Sequence, residues 1–206
     1  MGWPSTTLTG RTIAFLVAPF GVEQVELTSP WQAVAESGGV PRLLSTAPGR
    51  VQAVRRLALG EAFGEASGAA FGDTFGVDGS VAEADAEAFD GLVLPGGVAG
   101  SDLLRLDGPA VAFVRAWCAA GRPVAAIGHA AWTLIEADAL RGRTLTSGPS
   151  LRTDLRNAGA TWVDEEVHLC RDGPGPLVTS RDPADLPVFE DAFVTAFAHA
   201  AKRRGS

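Results

Sequence analysis

The chain has 206 residues, 46% hydrophobic and 20% charged, enough apolar material for one continuous core of ordinary domain size. Its net charge of −7 and pI near 4.9 exclude an electrostatic basis for binding nucleic acid or anionic lipid. No run of about 18 apolar residues offers a membrane span, and the basic runs Arg55-Arg56 and Lys202-Arg203-Arg204 read as solvated surface.

In chain order, residues 1–10 carry Trp3 and Pro4 but neither the charged nor the apolar region of a secretory signal, and read as a partly ordered tail ahead of one domain over 11–206. Residues 12–18 form a first strand, Pro19-Phe20-Gly21 a turn, and 22–37 a helix with Val25, Trp31 and Val34 at its apolar positions and Gly38-Gly39 at its end. Residues 40–46 form a second strand. The stretch 57–76 stands apart: Gly and Phe recur at near-regular spacing with neither a helical nor a strand period. An exposed Phe gains nothing in water, so Phe63, Phe71 and Phe75 favour a mobile flap over a pocket, against the plainer reading of a surface loop. Further strands are expected at 92–94, 124–127 and 177–179, and helices at 108–120, 130–137, 150–158 and 185–202. Strands alternating with helices predict an α/β fold whose mainly parallel sheet is covered on both faces.

The sequence is most informative where the wholly apolar run 124–127 meets the helical spacing of Ala131, Leu134 and Ile135. Gly128-His129 falls at a sharp strand-to-helix turn, an elbow that holds its residue above the carboxyl end of a sheet. In enzymes built this way the elbow residue is the nucleophile; here it is glycine. His129 sits at the elbow itself, whereas His168 and His199 have no such setting and read as structural or surface residues. Cys118 and Cys170 lie in apolar runs and fit a reduced cytoplasm as buried free thiols. No metal-ligand spacing, dinucleotide fingerprint or Gly-x-Ser-x-Gly setting is present, so no cofactor is expected.

Five motifs follow one another over roughly residues 11–200: Leu-Val-Leu-Pro-Gly-Gly (92–97), Ala-Ala-Ile-Gly-His-Ala-Ala-Trp (125–132), Leu-Arg-Gly-Arg-Thr-Leu-Thr-Ser (140–147), Asn-Ala-Gly-Ala-Thr-Trp-Val-Asp-Glu-Glu-Val (157–167) and Val-Thr-Ser-Arg-Asp-Pro-Ala-Asp-Leu-Pro (178–187). Together they resemble the ThiJ/PfpI family in its protease-I-like branch, whose signature Ala-Ile-Cys-His-Gly-Pro aligns with the elbow. The resemblance implies a flavodoxin-like three-layer sandwich of the class I glutamine-amidotransferase type, assembled as a homodimer or larger homo-oligomer. It also implies that 57–76 contains an insertion, because relatives have a shorter connection before Gly-Asp-Thr-Phe.

The same resemblance assigns roles. Glu26 matches the carboxylate that contacts the family nucleophile; desolvated there, it would exchange a proton near neutral pH, while alone it would read as an exposed carboxylate near a helix start. Gly96 and Gly97 match an oxyanion hole, His129 the histidine that assists the thiolate, and Asp102, by a looser alignment, a carboxylate that pairs with His129 of a neighbouring subunit. Gly128 replaces the cysteine, Ala130-Ala131 replace Gly-Pro, and Gly148 stands where relatives have an aromatic residue. Without sulfur the family's cysteine-dependent protease, deglycase, glyoxalase-type and isocyanide-hydrating reactions are not expected. Loss of the aromatic side chain leaves on the order of a small ring's volume in the pocket.

Two functions follow. One is a cofactor-free enzyme in which His129 and Glu26 do acid–base work on a bulky carbonyl-bearing small molecule by hydration, ring opening, elimination or isomerisation. The Ala-, Arg- and Gly-rich composition suggests a GC-rich bacterial source, where secondary-metabolite pathways are common, and by that association a secondary metabolite. The other is a non-catalytic ligand-binding or chaperone-like protein. Gly96, Gly97, Gly128, Ala130, Gly148, Phe71 and Phe75 form the expected binding surface in either case.

Overall fold

In a computed structural model describing residues 7–55 and 71–200, the chain opens with β1 (Thr12–Val17), β2 (Phe20–Glu23), α1 (Gln24–Glu36), β3 (Val40–Ser45), β4 (Arg50–Val54), β5 (Phe71–Gly76) and β6 (Gly79–Ser80). It continues with β7 (Gly91–Leu94), α2 (Val98–Arg105), α3 (Gly108–Ala119), β8 (Val124–Ile127), α4 (Ala131–Glu136) and β9 (Thr144–Leu145). The last elements are α5 (Arg152–Asn157), β10 (Thr161–Trp162), β11 (Val167–Cys170), β12 (Leu177–Ser180) and α6 (Leu186–His199).

The period of two in the apolar strands divides the core. Ile13, Phe15, Val17, Val93, Ala125 and Ile127 pack on one face with Leu27 and Val34 of α1 and Phe189, Phe193 and Phe197 of α6. Ala14, Leu16, Leu92, Leu94, Val124 and Ala126 pack on the other face with Leu104 of α2, Val114 and Trp117 of α3, and Leu134 of α4. Continuous hydrophobic runs are what a parallel sheet covered on both faces requires. The sheet runs β11-β12-β8-β7-β1-β3-β6, every neighbouring pair parallel except β11 with β12. This is the expected flavodoxin-like three-layer sandwich.

After β1 the chain builds outward through β3 and β6, then returns to place β7, β8 and β12 on the other side of β1. Strand order thus reverses between β1 and β7, and the loops that follow the strands gather at the carboxyl edge there. Glu26 follows β1, Gly96 and Gly97 follow β7, Gly128 and His129 follow β8, and Arg181 follows β12.

Several elements depart from the local expectations. Pro19-Phe20-Gly21 is no simple turn: Phe20 begins β2, which runs parallel to β4, and α1 starts only at Gln24. The unanticipated α2 carries Gly100, whose lack of a side chain lets the helix press on the backbone of Gly21 and Val22, 2.8 Å from an added Cβ. Within the 57–76 stretch, Phe71–Gly76 is not a flap but a strand, antiparallel to β4, because its backbone groups find partners there. Gln24 clamps it, accepting from the Asp73 N–H (2.7 Å) and donating to the Asp73 carboxylate (2.8 Å). Residues 56–70, including Phe63, lie outside the described residues. The N-terminal stretch is packed from Thr7 onward: Leu8 is fully buried and its N–H donates to the Ser37 carbonyl at 2.7 Å. Among the described residues no helix is long and apolar enough to cross a membrane.

Candidate functional site

β8 ends at Ile127 and the chain turns through Gly128 with φ of +60°, a left-handed conformation that costs other residues about 1–2 kcal/mol. A Cβ added there would lie 3.3 and 3.4 Å from the two carboxylate oxygens of Glu26 and 3.5 Å from the Arg181 carbonyl oxygen. Glu26 is only 3% exposed, on the first turn of α1. Its other side is closed by Gly96, where an added Cβ would overlap Glu26 Oε2 and stand 2.6 Å from the Ile127 carbonyl oxygen and 3.2 Å from the His129 nitrogen. The carboxylate is thus wedged between the Gly96 backbone and the space above Gly128. Gly97 plays a different part, because its missing Cβ leaves room for the backbone of Gly21 and Glu23, which an added Cβ would meet at 2.5 and 2.6 Å, seating β2 against the start of α2. The Glu23 N–H donates to the Gly96 carbonyl at 3.1 Å, which fixes the loop.

His129 follows on a 3₁₀ turn and is partly buried. Its Nε2 lies 3.1 Å from Ser150 Oγ, and the Trp132 ring meets it edge-on with centroids 5.1 Å apart. Trp132 is itself oriented by its Nε1–H, which donates to Asp154 at 3.0 Å, and by the Arg105 guanidinium 4.6 Å above its ring. Arg105 in turn donates from Nε and Nη2 to Asp102 Oδ1, at 2.9 and 2.7 Å. Within one chain, Asp102 therefore reaches His129 through Arg105 and Trp132.

Gly148 stands beside Gly128, its N–H donating to the Gly128 carbonyl at 3.2 Å. A Cβ added at Gly148 would lie 3.4 Å from His129 Cε1, 3.5 Å from its Nδ1 and 3.8 Å from the Arg181 carbonyl oxygen. The spaces above the two glycines thus share one wall, the Arg181 carbonyl. That carbonyl is held because the Arg181 side chain forks to Asp185 (2.9 and 3.0 Å) and Asp164 (2.8 Å), bonds that raise the guanidinium pKa.

The remaining expected residues are placed less directly. Ala130 is 1% exposed and belongs to the core cluster with Ala126 and Leu134 rather than to a binding surface. Phe71 is 57% exposed and meets Phe20 edge-on at 6.3 Å. Phe75 faces a groove of about 280 Å³ formed with Leu27, Thr28, Trp31 and Leu43, which none of Glu26, Gly128, His129 or Gly148 lines. Both described cysteines are buried free thiols. Burial pushes the Cys118 pKa up to about 11 although the Arg143 charge draws it down, so this thiol stays protonated and inert at neutral pH. Among the described residues no group of three or more His, Cys, Asp or Glu is arranged to hold a metal ion. Sequence reasoning missed Ser150 and Arg181. Ser150 follows Pro149 at the start of a turn, where a serine reads as an ordinary cap, and Arg181 contributes its backbone, which no side-chain pattern reveals.

The chain matches the DJ-1/PfpI family over residues 11–196. General stress protein 18 of Bacillus subtilis is 36% identical over 180 residues, 87% of this chain and 94% of that protein. Protein/nucleic acid deglycase 2 of Escherichia coli is 45% identical over 113 residues, 55% of this chain and 63% of that protein. Among solved structures, a ThiJ/PfpI domain protein from Brachyspira murdochii superposes with a TM-score of 0.77 at 20% identity, over 94% of this chain and 99% of its own. A two-domain protein from Anabaena variabilis, with DJ-1/ThiJ/PfpI-like and ferritin-like domains, superposes with a TM-score of 0.74 at 30% identity, over 90% of this chain and 47% of its own. With Glu26, Gly96, Gly128 and His129 gathered at the carboxyl edge of the sheet, an elbow at residue 128 and a match spanning nearly the whole described chain, the protein belongs to the DJ-1/PfpI family.

Proposed function

We propose that the protein is a cofactor-free acid–base enzyme acting on a bulky carbonyl-bearing small molecule by hydration, ring opening, elimination or isomerisation. The observation that carries this reading is the buried Glu26 carboxylate 3.3–3.4 Å from where a side chain at residue 128 would begin, with His129, near Ser150, on the adjoining residue. Two proton carriers border adjoining positions, Glu26 that over Gly128, where the family signature has its sulfur, and His129 that over Gly148. Each of these reactions moves a proton next to a carbonyl, and none needs a covalent protein intermediate. Glu26 orients the substrate or a water, His129 shuttles the proton, and backbone N–H groups of the Gly96-Gly97 loop face the developing enolate or oxyanion. The deglycase name of the Escherichia coli relative is not extended to this chain, because Gly128 supplies no sulfur nucleophile.

The test is proton–deuterium exchange in D₂O, followed by NMR across a panel of cyclic ketones, lactones and aryl ketones. Exchange or turnover should occur with the wild type, and His129→Ala should lower kcat by roughly 10²–10⁴. Gly148→Trp should instead raise KM. If His129→Ala turns over normally, the site lies elsewhere in the fold. A second reading, a non-catalytic binder, draws on the same glycine at the elbow and predicts saturable binding with no chemical change in any ligand. We place either protein in the cytoplasm as a homodimer or larger assembly, with Asp102 near a neighbour's His129. Exposed Phe20, Phe71, Val98, Leu103 and Leu106 supply apolar surface for that contact. Light scattering that returns a monomer mass would sink the assembly.

A further inference from the structure

The polarity of the space over Gly128 restricts what can occupy it. Its three nearest atoms are all oxygens: the two of the Glu26 carboxylate, at 3.3 and 3.4 Å from an added Cβ, and the Arg181 carbonyl at 3.5 Å. The Arg181 carbonyl can only accept a hydrogen bond, whatever the protonation state of Glu26. A carbonyl or ether oxygen placed there would face its lone pairs, whereas a hydroxyl or amine can donate to it or to Glu26. The adjoining space over Gly148 has another character. There the nearest atoms are Cε1 and Nδ1 of His129, at 3.4 and 3.5 Å, an ordinary contact distance for an atom laid against the imidazole. The same Arg181 oxygen borders both spaces, so one ligand can span them.

We propose that position 128 is a donor subsite. It takes a hydroxyl or amine borne by the ligand, directed between Glu26 and the Arg181 carbonyl, while a planar or aromatic part of the same molecule fills the gap over Gly148 against His129. The inference rests on the acid–base reading for the location of the ligand, and it narrows the substrate class to planar, hydroxyl- or amino-bearing carbonyl compounds. Such selectivity has a physical source: an analogue that cannot donate sets its lone pairs against the Arg181 carbonyl oxygen and forgoes the hydrogen bond that a hydroxyl or amine makes there.

A matched pair of carbonyl-free probes tests this. Benzyl alcohol and benzyl methyl ether are titrated into the ¹⁵N-labelled full chain, following the amide signals of Gly128, His129 and Gly148. Benzyl alcohol should shift these signals saturably, and the ether should bind at least 10-fold more weakly. Gly128→Ala, which puts a methyl group into the subsite, should remove the preference for the alcohol, and Gly148→Trp should weaken both probes. Equal affinity of the two probes, or no saturable shift from either, overturns the proposal. So does a structure of the complex with water at Gly128 and the probe hydroxyl pointing elsewhere. The wild-type pair decides the matter even if Gly128→Ala folds poorly. Equal probe affinity together with His129-dependent turnover removes the donor subsite and leaves the enzyme. Preserved discrimination without turnover on any substrate leaves the subsite and removes the enzyme.

Discussion

Adding one methyl group at each of three glycines should have three different consequences, and their order tests the site geometry. At Gly96 the new Cβ would overlap Glu26 Oε2 and lie 2.6 Å from the Ile127 carbonyl, a backbone atom of a central strand that cannot step aside. Overpacking of this kind costs about 1–3 kcal/mol or more. At Gly128 the nearest atoms are 3.3–3.5 Å away, so crowding is slight, but φ of +60° costs an alanine about 1–2 kcal/mol. At Gly148, φ is −48° and the nearest atom is 3.4 Å away; with neither strain nor overlap, alanine should stabilise by about 0.4–1 kcal/mol through lost freedom in the unfolded chain. Urea melts of the three variants should therefore rank Gly148→Ala at or above wild type, then Gly128→Ala, then Gly96→Ala. With m of about 1–3 kcal/mol/M, the extremes should differ in midpoint by on the order of 1 M. Wild-type stability in Gly96→Ala would falsify the wedged placement of Glu26, and with it the proximity of that carboxylate to residue 128.

Ser150→Ala should change the tautomer balance of His129, read from its imidazole ¹⁵N shifts, while Ser150→Thr should leave it near wild type. An unchanged spectrum in Ser150→Ala would remove Ser150 as a positioning residue. Cys118 supplies a pH signature. Its pKa is raised from 9.0 to about 11 by burial, so its contribution is fully present below pH 9 and is lost as pH rises toward 11, a decline on the order of 2–3 kcal/mol. With no tyrosine and Lys202 as the single lysine, few other side chains titrate in that window, so Cys118→Ala should flatten the decline in urea melts between pH 9 and 11. Gly128→Cys should yield a thiol that labels with iodoacetamide along a pH curve with its midpoint below the ordinary value of about 8.5, drawn down by His129. A midpoint at or above that value would mean that a charged Glu26 dominates the position.

Much of the fold was legible because its signals are local. The apolar runs of β1, β7, β8 and β12 carry their own evidence of burial on two faces, and the glycine pair after α1 marks where that helix ends. The elements that escaped are those without a local signal. β2 and β5 exist because β4 offers them backbone partners, and Gln24 holds β5 from a distance of 49 residues in the chain. α2 contains Gly100 and Ser101, weak helix formers, and is justified only by the close approach that Gly100 allows against β2.

The site divides in the same way. By itself the sequence determined that residue 128 sits at a strand-to-helix elbow without a nucleophilic side chain, that His129 adjoins it, and that both cysteines belong to the core. Strand period and turn chemistry act over a few neighbouring residues, so these features needed no partner to be read. Only the tertiary structure decided that Glu26 is wedged between Gly96 and Gly128, that Ser150 rather than Asp102 holds His129 within the chain, and that the Arg181 carbonyl walls the spaces over both glycines. These groups come from loops at the carboxyl ends of β1, β7, β8 and β12, spread from residue 26 to residue 181. Their meeting depends on strand order and parallel register, set by burying two faces of one sheet at once, and no stretch of local sequence contains that information.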